Sequence, residues 1–201
     1  MKLFKENSYD IVRLYVNQLG IMIFSMLLYS SVGSAFLDNK TLSTALSVFV
    51  SVFSVVFYLV LVYYVVWEIG AKDKIRIDGG RMERFKNKGL FMGLFANIPN
   101  FVLGFFSTLF LIIFMITEND GVYATFLIFQ AITRFHASMY LGFITAVVPG
   151  NSAAGNIDYT EFLIESILFT VIPIISTLIT HLAYRLGEQD RKLFSFIKSN
   201  K

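Results

Sequence analysis

Between positions 42 and 67 the sequence runs for 26 residues without one charged side chain. About 20 such residues already span the roughly 30 Å hydrocarbon core of a bilayer as a helix. Four further apolar stretches lie at about 14–37, 89–117, 122–148 and 159–186. In hydrocarbon every backbone N–H and C=O has to bond within the chain, so such runs fold as helices. The expected fold is therefore all-α: an integral membrane helical bundle with about five apolar segments, forming one multi-pass membrane domain over residues 1–201. Composition agrees. The chain is 15% charged and 56% hydrophobic, against about 25% charged in soluble domains. Cysteine is absent, which removes disulfides, thiolate metal sites and a cysteine nucleophile. Gly33-Ser34-Ala35 has the small residues of a signal cleavage site. The apolar run before it is too long for a signal peptide, and Glu6 and Asp10 break its basic leader, so segment 1 is expected to be retained.

Charge sets the orientation, because Lys and Arg accumulate on the cytoplasmic side of short loops. The N-terminus carries Lys2, Lys5 and Arg13, and the stretch 68–88 carries Lys72, Lys74, Arg76, Arg81, Arg84, Lys86 and Lys88. The short connections 38–41 and 118–121 hold only Lys40. The N-terminus and the 68–88 loop are thus expected to be cytoplasmic, in the plasma membrane of a bacterium. The C-terminal part conflicts with this frame. Five single crossings put 149–158 inside, yet that stretch has no basic residue, while the tail has Arg185, Arg191, Lys192, Lys198 and Lys201. Two resolutions stay open. Segment 4 crosses once and the rule is broken at its weaker end, or segment 4 is broken or re-entrant, dipping in and returning with Arg134 and His136 near its turn. Arms of about 12 residues reach only about 18 Å, so such a hairpin has to be sheltered by other helices. The tail 188–201 reads as an amphipathic surface helix.

Segment 3 carries Gly89, Gly93, Asn97, Asn100, Gly104 and Ser107 at steps of three and four. On a helix they form one stripe. Small residues let helices approach in lipid, and Asn bonds across the contact. Pro99 removes a backbone donor and frees a carbonyl one turn earlier. The stripe is first of all a packing face; its competing reading is the lining of a solute cavity at a broken helix. Segment 2 offers a second small stripe, Ser43, Ser47, Ser51 and Ser54. In segment 4, Gln130, Arg134, Ser138 and Gly142 share a face if the helix is continuous, and Arg134 is then within reach of Asn100. An Arg at mid-bilayer costs about 2.5–3.5 kcal/mol on insertion scales, so it marks a polar site by default. In segment 5, Asp158 and Glu161 have capping-box spacing. Glu165 lies one turn deeper, either as a partner for a cation or as an interfacial residue.

Several chemistries are excluded by missing motifs. There is no GxxxxGK[ST], HExxH or GxSxG, so ATP hydrolysis, zincin and nucleophile-elbow chemistry are not expected. No cofactor is called for. Two histidines, His136 and His181, make a poor zinc set, and no metal is expected. The alternation Lys72-Asp73-Lys74-Ile75-Arg76-Ile77-Asp78 before Gly79-Gly80 reads as a small hairpin. Its neighbours Arg76, Arg81, Arg84, Lys86 and Lys88 are candidates for holding lipid head groups or docking a partner.

The leading functional expectation is a transport-related or accessory membrane subunit that binds a small solute or a partner within the bundle. Asn97, Asn100, Gln130, Arg134 and Glu165 are its cavity candidates. The alternative is a structural or regulatory interaction protein, using Gly89, Gly93, Gly104, Ser107, Ser47 and Ser51 as helix-packing positions. The third is an intramembrane enzyme acting on a lipid. The expected partners are the lipid bilayer and another membrane protein or an energising subunit; nucleic acid is not expected.

Overall fold

The computed structural model describes residues 2–36, 39–148 and 159–191. They form α1 (Lys2–Ala35), α2 (Lys40–Asp78), α3 (Lys88–Thr117), α4 (Asp120–His136), a 3-10 turn (Ser138–Tyr140), α5 (Leu141–Val147), α6 (Tyr159–Val171) and α7 (Pro173–Glu188). No strand occurs among the described residues. Four helical spans are long and apolar enough to cross a membrane: α1, α2, α3, and α6 with α7 taken together. The surface supports that reading. Leu27, Phe49, Val56, Phe105, Ile116 and Ile128 stand exposed, while Gln18, Ser25, Ser54, Asn97, Ser107, Gln130 and Thr177 are buried. An apolar coat over a partly polar interior suits hydrocarbon as the solvent, where interhelical hydrogen bonds and small-residue contacts hold helices together.

Four such spans stand where about five apolar segments are expected, because the fourth apolar segment is broken. Its first arm, α4, has 17 residues, about 25 Å of rise and less than the roughly 30 Å core. The helix then breaks at Ala137.

The expected hairpin at 72–81 is corrected. Residues 68–78 continue α2, and only 79–87 form the loop. Lys72 pairs with Glu68 one turn back at 2.7 Å, and such pairs support helix. Gly79-Gly80 is the stop signal of this helix. Gly80 has φ +67°, its N–H bonds to Ile77 O, and the Arg81 N–H bonds to Arg76 O. That is the Schellman arrangement, with glycine in the left-handed position. Nor do Asn7 or Ser8 cap α1, which starts at Lys2 because the good helix formers before Asn7 carry it on toward the N-terminus.

The chain separates into two compact units. The first holds 1–17, 58–97 and 174–201. In it α3 and α7 run antiparallel: Gly89 meets Thr180 and His181, and Gly93, one turn on, meets Thr177. Meanwhile α2 runs parallel to α7. Tyr58 bonds to Ser176, Gly70 abuts Tyr184 and Glu188, and the Trp67 indole donates to Arg191 O at 2.7 Å.

The second unit holds 18–57 and 98–173. Here α3 is antiparallel to α6, with Gly104 against Thr170 and Ser107 beside Ser166. The Phe114 ring packs on Tyr123 and Tyr159. Asn119 caps α4, its side chain accepting from Gly121 N at 2.8 Å. α4 therefore enters from the same side as the start of α6. Beyond the break, Ser138 donates to Met22 O at 2.6 Å, and the Gly142 N–H bonds to Ser51 Oγ at 2.8 Å. Met22 lies deep in α1, whereas Ser47 and Ser51 lie nearer the start of α2. Since α2 and α3 are successive crossings, that start is on the side from which α4 entered. The chain thus turns back. Ala137, Ser138, Met139 and Tyr140 are all buried, as a non-helical turn at membrane depth requires. The capping-box residue Asp158 and the tail 192–201 lie outside the described residues.

Candidate functional site

The break at Ala137 divides the face that a continuous fourth helix would present. Gln130 and Arg134, one turn apart on α4, turn toward α3 and α6. Ser138 and Gly142 turn toward α1 and α2. The first pair builds the polar centre of the second unit.

Gln130 is buried between Ser107 and Ser166. Its Oε1 accepts from Ser107 Oγ at 2.6 Å and from Ser166 Oγ at 3.0 Å, and the two hydroxyls are 3.2 Å apart. One amide oxygen thus ties three helices. Gly104, one turn before Ser107, lets Thr170 approach α3 closely.

Arg134 pairs with Glu165 one turn deeper. The guanidinium donates through Nε at 2.8 Å and through Nη2 at 2.7 Å to the two carboxylate oxygens. Such a fork is the strongest form of the ion pair. The Glu165 side chain is 8% exposed, but that of Arg134 is 47% exposed. The Phe162 ring flanks the guanidinium carbon at 5.9 Å. Glu165 is thus a partner for a cation, one of the two alternatives left open by the sequence. The guanidinium is engaged by Glu165, and the Asn100–Arg134 contact had assumed a continuous helix. Asn100 instead lines a small pocket at the hairpin tip with Thr133, His136, Ala137 and Tyr140. The space it encloses is about 10 Å³, room for one water-sized sphere. That is below the ~300–1,000 Å³ of ordinary ligand pockets.

Asn97 belongs to the first unit. Its Nδ2 donates to Gly93 O at 2.9 Å, to Ser176 Oγ at 3.0 Å and to Thr177 Oγ1 at 3.3 Å. It serves α3–α7 packing there. Of the basic residues near the loop, Arg76, Arg81, Arg84 and Lys86 are exposed, and Arg84 pairs with Glu188. Lys88 is not with them. It is buried and donates to Asp73 Oδ2 at 2.6 Å, and the Tyr184 hydroxyl donates to the same oxygen at 3.0 Å. Asp73 and Tyr184 were missed because the alternation of 72–78 suggested strand. Read with a helical period, Gly70 and Asp73 fall on one face with Trp67, the face that meets α7.

Comparison with protein-family models, with characterised proteins and with solved structures gives no match, so function rests on this geometry.

Proposed function

We propose that the chain is a transport-related or accessory subunit of a bacterial plasma membrane, which takes a small solute or a segment of a partner at the polar face formed by α3, α4 and α6. The observation that carries this reading is the Arg134–Glu165 pair. A fully apolar surround makes a half-exposed Arg at membrane depth costly, so the default reading of such a residue is a functional one, facing a water-filled cavity or a partner. With the hairpin, the basic N-terminus, the 79–87 loop and the basic end of α7 fall on one side, and the charge rule puts that side in the cytoplasm. With no nucleotide motif, any pumping draws on an ion gradient or an energising subunit.

The structural or regulatory reading also has an observation in its favour. Gly89, Gly93, Asn97, Gly104 and Ser107 all contact α6 or α7, the normal use of small residues in lipid. One experiment separates the two. Ala131 is exposed on α4 one turn before Arg134. In this cysteine-free chain, Ala131→Cys should react with an impermeant thiol reagent in intact cells if the Arg134 face opens to water or a solute path. Reaction with a lipid-soluble reagent alone would favour a face sealed by lipid and overturn the transport reading.

A further inference from the structure

The two partners of the ion pair are unequally used. Both oxygens of Glu165 are taken by Arg134, and its side chain is nearly buried, so it offers nothing to an incoming cation. Arg134 is different. A guanidinium has five N–H donors in a planar fork and stays charged. Glu165 occupies the edge made by Nε and Nη2. The other edge, made by one hydrogen of Nη1 and the second of Nη2, retains two donors, and the side chain is 47% exposed. That edge has the spacing that receives two oxygens of one carboxylate or phosphate. Hydrocarbon satisfies none of these donors.

We propose that the open Nη1/Nη2 edge of Arg134 is a binding site for an anion with paired oxygens, a phosphate or a carboxylate, with the Phe162 ring as a wall beside the guanidinium. This rests on the reading of the Arg134 face as open to a ligand, and it supplies that ligand's class. Glu165 is a positioning residue. It holds the guanidinium by one edge so that the other faces outward. The same chemistry belongs to an anionic lipid head group drawn into the bundle and to a soluble anion arriving from the side on which the hairpin opens.

The test measures thermal unfolding of the full-length chain. One arm uses nanodiscs of phosphatidylcholine with and without phosphatidylglycerol. The other uses neutral detergent with inorganic phosphate or acetate titrated in. Stabilisation by phosphatidylglycerol alone assigns a lipid; stabilisation by the small anions assigns a soluble ligand. Arg134→Lys keeps the charge and loses the fork, and the apparent affinity should fall about tenfold, the worth of one charge-assisted hydrogen bond. Glu165→Gln keeps an oxygen that accepts from the guanidinium and should hold the anion affinity, whereas Glu165→Ala lets the fork turn and should lower it; equal affinity in both would remove the positioning role. The double variant Arg134→Met/Glu165→Leu leaves no unpaired charge and should lose the response. No anion response in the native chain, or an equal one in the double variant, overturns the proposal. If Ala131→Cys is still labelled by the impermeant reagent in that case, the open face survives and only its anion is lost.

Discussion

Gly142 lies so close to Ser47 that any side chain at position 142 would run into the Ser47 carbonyl. The Gly142 N–H also bonds to Ser51 Oγ at 2.8 Å. The returning arm of the hairpin is therefore seated directly on the backbone of α2. Gly142→Ala should cost about 1–3 kcal/mol, since neither backbone can give way without strain. Gly142→Leu should lift the arm off α2. A fall in unfolding temperature graded Gly, Ala, Leu would bear this out, and an unchanged temperature for Leu would refute the seat.

The turn-back makes a prediction about sidedness. Val147 ends α5 with 74% of its surface exposed, and Gln189 follows α7 exposed. On the proposed orientation, with the N-terminus cytoplasmic, Val147→Cys should react with an impermeant thiol reagent in intact cells and Gln189→Cys only after permeabilisation. The reverse pattern would mean that segment 4 crosses once, or that the whole chain is inverted against the charge rule. Labelling of both in intact cells would mean that α6 and α7 together do not cross.

Asp73 and Lys88 form a buried pair at 2.6 Å. Replacing Lys88 by Met leaves the carboxylate with Tyr184 and the more distant Arg76, and should cost about 3–5 kcal/mol. Lys88→Met with Asp73→Leu removes both charges and should recover most of that loss. Denaturant unfolding of the two single variants and the double variant gives the coupling. Additive losses would show that the pair does not act as one.

Gln130→Leu should be mild by comparison. Ser107 and Ser166 are already 3.2 Å apart and can bond to each other. Interhelical hydrogen bonds in membrane proteins are worth about 0.6 kcal/mol on average and up to about 1.7. A loss well above that range, read by the same unfolding, would give Gln130 a larger part than tying three helices.

Most of the interior was legible where the signal is local. The stripe from Gly89 to Ser107 announced a contact face by its spacing, but not which helix would meet it, because that choice depends on tertiary packing. The hairpin was signalled indirectly, by a loop at 149–158 without basic residues next to a basic tail. No residue around Ala137 breaks a helix by itself, and what turns the chain is the set of bonds it finds on Met22 and Ser51. The stretch 72–78 was misread. Alternation over seven residues fits a strand, yet the same residues fit a helix whose Asp73 finds Tyr184, 111 positions away. Such a partner has no trace in local sequence.

The hairpin also constrains the order of assembly. Its turn is covered by α1 and α2, and its Arg is neutralised by a carboxylate on α6. Glu165 is made 31 residues after Arg134. During synthesis the fourth segment therefore emerges before the group that balances its charge exists. The hairpin should wait at the interface until α6 arrives and then sink in with it. The piece synthesised in the middle is the keystone, set after the walls on both sides are standing.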